Sequence, residues 1–147
     1  IPDDGDTIGL RSDMTNKPFL PLQNAGYNVT VQPFQLKTLV DAAISQPDSI
    51  VDAKKAHEWM ATKILPNVMG GNWYVDVSDL VRLLVLYTQG GMYMDTDVIV
   101  IRPLDQLDNV IGFERPDGPA SGVLKFAKGN AFLGDCINEY FATYKSN

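Results

Sequence analysis

Two aspartates one residue apart, Asp95 and Asp97, are the side chains of this sequence best suited to chemistry. They lie where the pattern changes from Tyr93-Met94 to an apolar run at residues 98–101, so we expect them in a strand at the edge of a sheet. Carboxylates are hard oxygen ligands that suit Mg²⁺ or Mn²⁺ carrying a phosphate substrate. Residues i and i+2 of a strand point to the same face, so both carboxylates could approach one ion.

Such a pair also has interpretations that involve no substrate. A solvated strand end is one, but like charges repel there and their desolvation is costly, an objection that a bound cation removes. Calcium-loop chemistry does not fit, because the sixth position from Asp95 is Val100 rather than glycine and the twelfth is Gln106 rather than glutamate. A structural site for a divalent cation is left as an alternative.

The segment before these aspartates predicts an amphipathic helix that ends at a double glycine. Its apolar residues repeat at helical spacing, which indicates one buried face. That face consists of Leu80, Leu83, Leu84 and Tyr87. Asp76 or Ser78 can cap the N-terminus, where backbone N–H groups lack partners. Gly90-Gly91 supplies the positive-φ residue at which a helix ends.

Asp79 and Arg82 are three residues apart on this helix, so they share a face. One interpretation is an i,i+3 ion pair at the surface, which contributes little to stability. The other is a polar patch presented to a ligand. Taken alone, the spacing favours the surface pair.

The rest of the chain predicts an α/β domain built from short elements. Composition agrees, because 147 residues of which 45% are hydrophobic suit one globular domain. The net charge of −6 argues against broad nucleic-acid binding, which requires a basic surface. No apolar run approaches membrane-spanning length, although an anchor could lie outside this chain. We predict a helix at 18–25, helical pieces within 36–64, strands at 27–31, 110–114 and 123–126, and a helix at about 131–144 capped by Asn130.

Three consecutive motifs carry a specific resemblance. The sugar-binding D-x-D region of glycosyltransferase family 32 resembles Ser78-Asp79-x-x-Arg82, Gly90-Gly91-x-Tyr93-x-Asp95-x-Asp97 and Arg102-Pro103-Leu104 of this chain. That family includes α1,4-galactosyl- and α1,4-N-acetylglucosaminyltransferases and yeast-type initiating mannosyltransferases. The resemblance covers most of residues 18–145, and the part after the D-x-D motif is closer to the α1,4-transferases.

The resemblance implies a GT-A fold, a nucleotide-binding α/β sandwich. Residues 18–147 would form a partial GT-A-like domain after an irregular N-terminal segment at 1–17. Family domains usually begin with an apolar nucleotide-binding strand, which we do not find before Pro18, and they continue past the helix near residue 144. We therefore expect the chain to represent an incomplete domain of the family.

The resemblance also implies a role for the motif residues. Asp95 and Asp97 would hold Mn²⁺ or Mg²⁺ that bridges the diphosphate of a nucleotide sugar. Contacts to the donor sugar would come from two pairs, Asp79 with Arg82 and Ser121 with Gly122. No catalytic nucleophile or base is assigned, because retention of configuration can occur by front-face attack without one.

The function expected from the resemblance is metal-dependent, retaining transfer of a sugar from UDP-galactose or UDP-N-acetylglucosamine to a glycan or glycolipid acceptor. A mannosyltransferase that uses GDP-mannose is the alternative within the family. A non-catalytic remnant that binds nucleotide or metal is the alternative outside it. If the source is a eukaryote, the resemblance implies residence in the Golgi lumen.

Overall fold

The fold is that of a computed structural model, which describes residues 17–32, 34–64, 73–115 and 118–144. Helices precede and follow a small sheet, a mixture compatible with the predicted α/β class. The elements in chain order are α1 (Leu20–Asn24), α2 (Leu36–Ile44), α3 (Ala53–Trp59), α4 (Trp73–Gln89), β1 (Gly91–Met94), β2 (Val110–Arg115), β3 (Gly118–Phe126) and α5 (Ala131–Thr143). The chain divides into two compact units, residues 1–38 and 39–147.

The first unit contains the short helix predicted from the sequence. A 3₁₀ turn at Lys17–Phe19 leads into α1, which buries none of its residues. Gly26 follows with a φ of +90°, the left-handed conformation that commonly ends a helix.

The strand predicted at residues 27–31 is wrong. Its backbone groups bond locally, because the Tyr27 N–H donates to Leu22 O and the Val29 N–H donates to Tyr27 O. The side chain of Gln23 donates to Val29 O at 2.8 Å and closes the loop on itself. These bonds replace the partners that a neighbouring strand would have provided.

Helices α3, α4 and α5 form the core of the second unit, in which α5 packs against both of the others. Trp59 of α3 contacts Tyr140 and Phe141 of α5, with ring centroids 5.7 and 5.3 Å apart. The predicted apolar face of α4 is buried at Leu80, Leu84 and Tyr87, whereas Leu83 is only half-buried. Each fully buried leucine stabilises the fold by about 2 kcal/mol.

Helix α4 begins earlier than predicted. Its first residue is Trp73, so Asp76 and Ser78 lie inside the helix, and the prediction that either caps it is wrong. The hydroxyl of Ser78 instead donates to Val75 O one turn earlier, at 2.7 Å. A serine inside a helix commonly satisfies its hydroxyl in this way.

The double glycine ends α4 as predicted. Gly90 and Gly91 have φ values of +71° and +101°, a region that residues other than glycine rarely adopt. Gly90 also lies close to the loop before α5, because a Cβ built on it would lie 2.7 Å from the backbone nitrogen of Lys128. The chain therefore leaves the helix and enters β1 without an intervening loop.

The sheet has the order β1-β3-β2, and both pairings are antiparallel. β1 pairs residue by residue from Gly91 with Phe126 to Met94 with Val123. β2 confirms the strand predicted at 110–114, and β3 begins five residues before the strand predicted at 123–126. Leu124 and Phe126 of β3 turn into the core.

The apolar run at 98–101 is not a strand, which corrects the prediction that the two aspartates interrupt one. A turn in which the Val98 N–H donates to Asp95 O directs the chain away from β1. Ile99 and Ile101 are 84% and 87% exposed, so apolar composition alone did not produce a strand. Strand formation requires a partner, and residues 98–101 pair with none of the three strands of the described sheet.

The final helix follows its prediction closely. Asn130 caps α5, because its side-chain oxygen accepts from the Phe132 N–H at 3.0 Å. None of the helices described is long and apolar enough to cross a membrane.

Candidate functional site

Asp95 is held where β1 ends against β3. Its backbone N–H donates to Gly122 O at 2.9 Å, which extends the pairing of the two strands by one residue. The hydroxyl of Tyr93, two residues earlier, donates to Asp95 Oδ1 at 2.5 Å. A Cβ built on Gly122 would lie 3.0 Å from Asp95 Oδ2, so glycine leaves the room that this carboxylate needs.

Arg82 is the buried cation beside this carboxylate, with only 9% of its surface exposed. Its Nη2 contacts Asp79 Oδ1 at 2.8 Å, and its Nη1 lies 3.6 Å from Asp95 Oδ1. Nη1 also donates to Ser121, at 3.1 Å to the backbone oxygen and 2.7 Å to Oγ. The i,i+3 pair therefore forms, but its arginine is buried and connects α4 to β1 and β3.

The ring of Tyr93 completes the arrangement. The guanidinium carbon of Arg82 lies 4.7 Å from the centre of this ring, a cation–π geometry. The pKa of Tyr93 is raised to about 12, mainly by burial and to a smaller extent by the hydrogen bond to Asp95. The phenol is protonated at neutral pH and donates to the carboxylate of Asp95.

Asp95 and Asp97 line one cavity of about 430 Å³. Asp97 is exposed and belongs to the turn after Asp95, so the two aspartates do not share a strand face as predicted. The turn brings them to the same cavity instead. The other lining residues are 120–123 of β3 with Val98, Gly112 and Phe113.

The donors at this cavity suit a divalent cation in kind. Mg²⁺ and Mn²⁺ prefer carboxylate, phosphate and water oxygens, and proteins often bind Mg²⁺ through one or two carboxylates together with substrate phosphates. Oδ2 of Asp95 and the carboxylate of Asp97 provide that number. The described residues include no group of three or more His, Cys, Asp or Glu side chains that could hold a metal ion, so the fit depends on these two residues.

All of the site residues expected from the sequence are connected in the structure. Arg82 joins Asp79, Asp95 and Ser121, and the cavity joins Asp95, Asp97, Ser121 and Gly122. Sequence reasoning named Tyr93 only as part of the motif, without a role, and did not single out Phe113. The i,i+2 spacing of Tyr93 and Asp95 on a strand could have indicated the first of these. No local pattern indicated the second.

Comparison with protein families gives a match over residues 14–115, to the family described as a glycosyltransferase sugar-binding region containing a DXD motif. The match includes α4, β1 and β2, and with them Asp79, Arg82, Asp95 and Asp97. No solved structure matches the chain.

Relatives with curated descriptions agree with this match. A protein of Arabidopsis thaliana described as uncharacterized is 37% identical over 71% of this chain and 16% of its own length. The human α-1,4-N-acetylglucosaminyltransferase is 35% identical over 51% of the chain and 22% of its own length. The mouse lactosylceramide 4-α-galactosyltransferase is 28% identical over 92% of the chain and 35% of its own length.

This chain thus corresponds to about a third or less of the length of these relatives. The family match covers the helix, the double glycine and the aspartate pair, which together carry the site described above. The chain belongs to glycosyltransferase family 32, the glycosyltransferases with a DXD-containing sugar-binding region.

Proposed function

We propose that this chain is the donor-binding part of a metal-dependent, retaining glycosyltransferase that uses a UDP-sugar. The observation that carries the proposal is that Asp95 and Asp97 line one cavity with Ser121 and Gly122. Binding of a nucleotide sugar requires charged groups for its diphosphate and neutral groups for its sugar.

Each residue has a proposed role. Asp95 and Asp97 would hold Mn²⁺ or Mg²⁺, which when bound stabilises negative charge on the diphosphate leaving group. Asp79 keeps about half of its side chain exposed and would accept hydrogen bonds from sugar hydroxyls. Ser121 and Gly122 would contact the donor sugar from β3. Their fixed positions would orient the sugar for reaction.

Arg82 supports this arrangement mainly through its neighbours. Because its guanidinium is buried and already bonded to Asp79 and Ser121, we propose that it orients both toward the sugar. Its positive charge also lies 3.6 Å from Asp95 and lowers the electrostatic cost of placing carboxylates together. No nucleophile or base is assigned.

The proposal extends to the whole protein by analogy with its relatives. Residues 18–147 would be part of a GT-A domain, and the acceptor would be a glycan or a glycolipid, as in the relative named for lactosylceramide. Lactose, the sugar part of that lipid, is therefore a suitable acceptor probe.

We place the protein in the Golgi lumen if its source is eukaryotic, with any membrane anchor outside this chain. GDP-mannose is the alternative donor.

The test is a calorimetric titration of the chain with UDP, with and without Mn²⁺. We expect metal-dependent binding that the double variant Asp95→Ala/Asp97→Ala loses. The matched control is Asp105→Ala/Asp108→Ala, which removes two exposed aspartates that do not line the cavity and should leave binding unchanged. A preference for GDP over UDP would favour the mannosyl alternative. Absence of binding to either nucleotide at millimolar concentration in a folded chain would contradict the proposal.

A further inference from the structure

Phe113 is an aromatic ring that lines the cavity and is nevertheless 70% exposed. Burial of a phenylalanine side chain stabilises a fold, so a ring left open to solvent forgoes that stabilisation. Ligand-binding pockets are commonly lined by aromatic side chains together with a few polar groups. The function proposed above assigns no role to this residue.

The backbone of β2 accounts for the position of the ring. The register of β2 against β3 shifts between Ile111 and Gly112 and again between Phe113 and Arg115. Such irregularities redirect a side chain away from the direction that a regular strand would give it. The residue opposite Phe113 is Pro119, which has no backbone N–H to donate to the ladder. Phe113 therefore lies in an irregular part of the sheet, between two register shifts.

The ring of Phe113 and the carboxylate of Asp95 come from strands on opposite sides of β3. Asp95 bonds to β3 from the β1 side, whereas Phe113 belongs to β2. Neighbouring strands are about 4.8 Å apart, so β1 and β2 are separated by roughly 10 Å across β3. A phosphate held at one side would place an attached or neighbouring sugar near the other. Val98, which also lines the cavity, adds apolar surface.

We propose that Phe113 is the platform of a sugar-binding subsite, on which the apolar face of a hexopyranose ring stacks. This inference rests on the proposed function, because it takes Asp95 and Asp97 as the phosphate-binding end of the same cavity. The C–H groups of one sugar face meet the negative face of the aromatic ring, and the hydroxyls at the sugar's edge stay free for polar contacts. The sugar of the donor and that of the acceptor offer the same chemistry.

The experiment compares Phe113→Ala with Phe113→Tyr, which keeps the ring. Phe132→Ala is the matched control, because Phe132 is a half-exposed ring that stacks on Phe126 and does not line the cavity. Calorimetry in Mn²⁺ measures the dissociation constants of UDP, UDP-galactose and UDP-N-acetylglucosamine. Lactose is then titrated into the complex of protein, Mn²⁺ and UDP. Circular dichroism verifies the fold, and Phe113→Leu replaces the alanine variant if that variant does not fold.

Two results would support the subsite and identify its sugar. For a donor sugar, Phe113→Ala binds at least one UDP-sugar about 3- to 10-fold more weakly while UDP affinity is unchanged. For an acceptor sugar, lactose binding weakens by the same factor while all nucleotide affinities are kept. Phe113→Tyr and Phe132→Ala should remain close to the unaltered chain in either case.

Other results would overturn the subsite. One is that Phe113→Ala leaves all of the affinities unchanged. Another is that it weakens the affinities for UDP and for the UDP-sugars equally. The third is that, in the unaltered chain, the UDP-sugars bind no more tightly than UDP and lactose does not bind. An equal loss would assign the ring to the nucleotide. An unaltered chain that binds no UDP in Mn²⁺ would instead contradict the proposed function itself, so the two failures are distinguishable.

Discussion

At the residue scale, the site depends on how the carboxylate of Asp95 is held. Tyr93 donates to one of its oxygens, and Arg82 places a positive charge 3.6 Å away. A buried guanidinium must itself be paired, and Asp79 and Ser121 provide the partners. The spacing of the two aspartates predicts a pair of ligands, but it does not reveal this surrounding network.

Replacing Tyr93 by phenylalanine should weaken metal-dependent UDP binding. The ring would remain beside Arg82, and only the hydroxyl that orients Asp95 would be lost. Loss of a hydrogen bond that orients a metal ligand commonly lowers affinity by about 10-fold or more. Calorimetry with UDP in Mn²⁺ measures the change.

The control for this variant is Tyr87→Phe, which removes the same atom elsewhere on the chain. The hydroxyl of Tyr87 accepts from the Ile50 N–H and donates to Ser49 Oγ, and neither residue lines the cavity. Tyr87→Phe should lower thermal stability and leave UDP affinity intact. An equal loss of affinity in both variants would mean that Tyr93 acts through stability alone.

At the element scale, local signals in the sequence predicted what local interactions determine. The buried face of α4, the double glycine after it and the Asn130 cap of α5 are all encoded within a few residues of where they act. Most of the predicted site residues lie on or beside these elements. The roles of the site residues were predicted from the family resemblance, which gave none to Tyr93 or Phe113.

The strand predictions failed where pairing, which is not local, decides the outcome. Residues 98–101 have strand-like composition but follow a turn that leads away from β3. The beginning of β3, residues 118–120, consists of glycine, proline and alanine and yet pairs with β2. Strand propensity describes how a residue fits between neighbours, so a sequence without known neighbours cannot settle it.

The connection from α4 to β1 yields a paired prediction. Gly91→Ala should destabilise the fold by about 1–2 kcal/mol, because alanine is strained at a positive φ. A Cβ on Gly91 would meet nothing within 4 Å, whereas one on Gly90 would lie 2.7 Å from Lys128 N. Gly90→Ala should therefore cost about 3 kcal/mol or more, since strain and collision add.

Urea denaturation followed by circular dichroism gives both values. Equal losses in the two variants would indicate that the close approach of the α4 end to the loop before α5 does not persist in solution. A larger loss in Gly91→Ala would contradict the structure of the turn.

At the scale of the whole molecule, the residues of the candidate site all belong to one unit. Asp79, Arg82, Asp95 and Ser121 lie within residues 39–147, the unit that contains the three-helix core. Their positions are thus supported by the most extensively buried part of the described chain. The α1 segment of the other unit buries no side chain and cannot be stabilised in the same way.

Hydrogen exchange should display this difference along the chain. The amides of α4 around Leu80, Leu84 and Tyr87 are hydrogen-bonded within a helix whose core face is buried, so their exchange should require near-global unfolding. For a small domain that corresponds to about 5–15 kcal/mol of protection. The amides of Leu20–Asn24 form a helix of barely one turn, with Pro21 lacking an N–H, and should exchange almost unprotected.

Mass spectrometry of peptides after timed exchange measures both segments in one sample. Adding Mn²⁺ with UDP should slow exchange further around residues 91–97 and 118–124, because a ligand that binds only the folded state stabilises it. Residues 20–24 should not respond to the ligand if the site lies entirely in the second unit. Comparable protection of α1 and α4 would contradict the distribution of the core described above. A ligand effect confined to residues 20–24 would instead assign binding to the first unit.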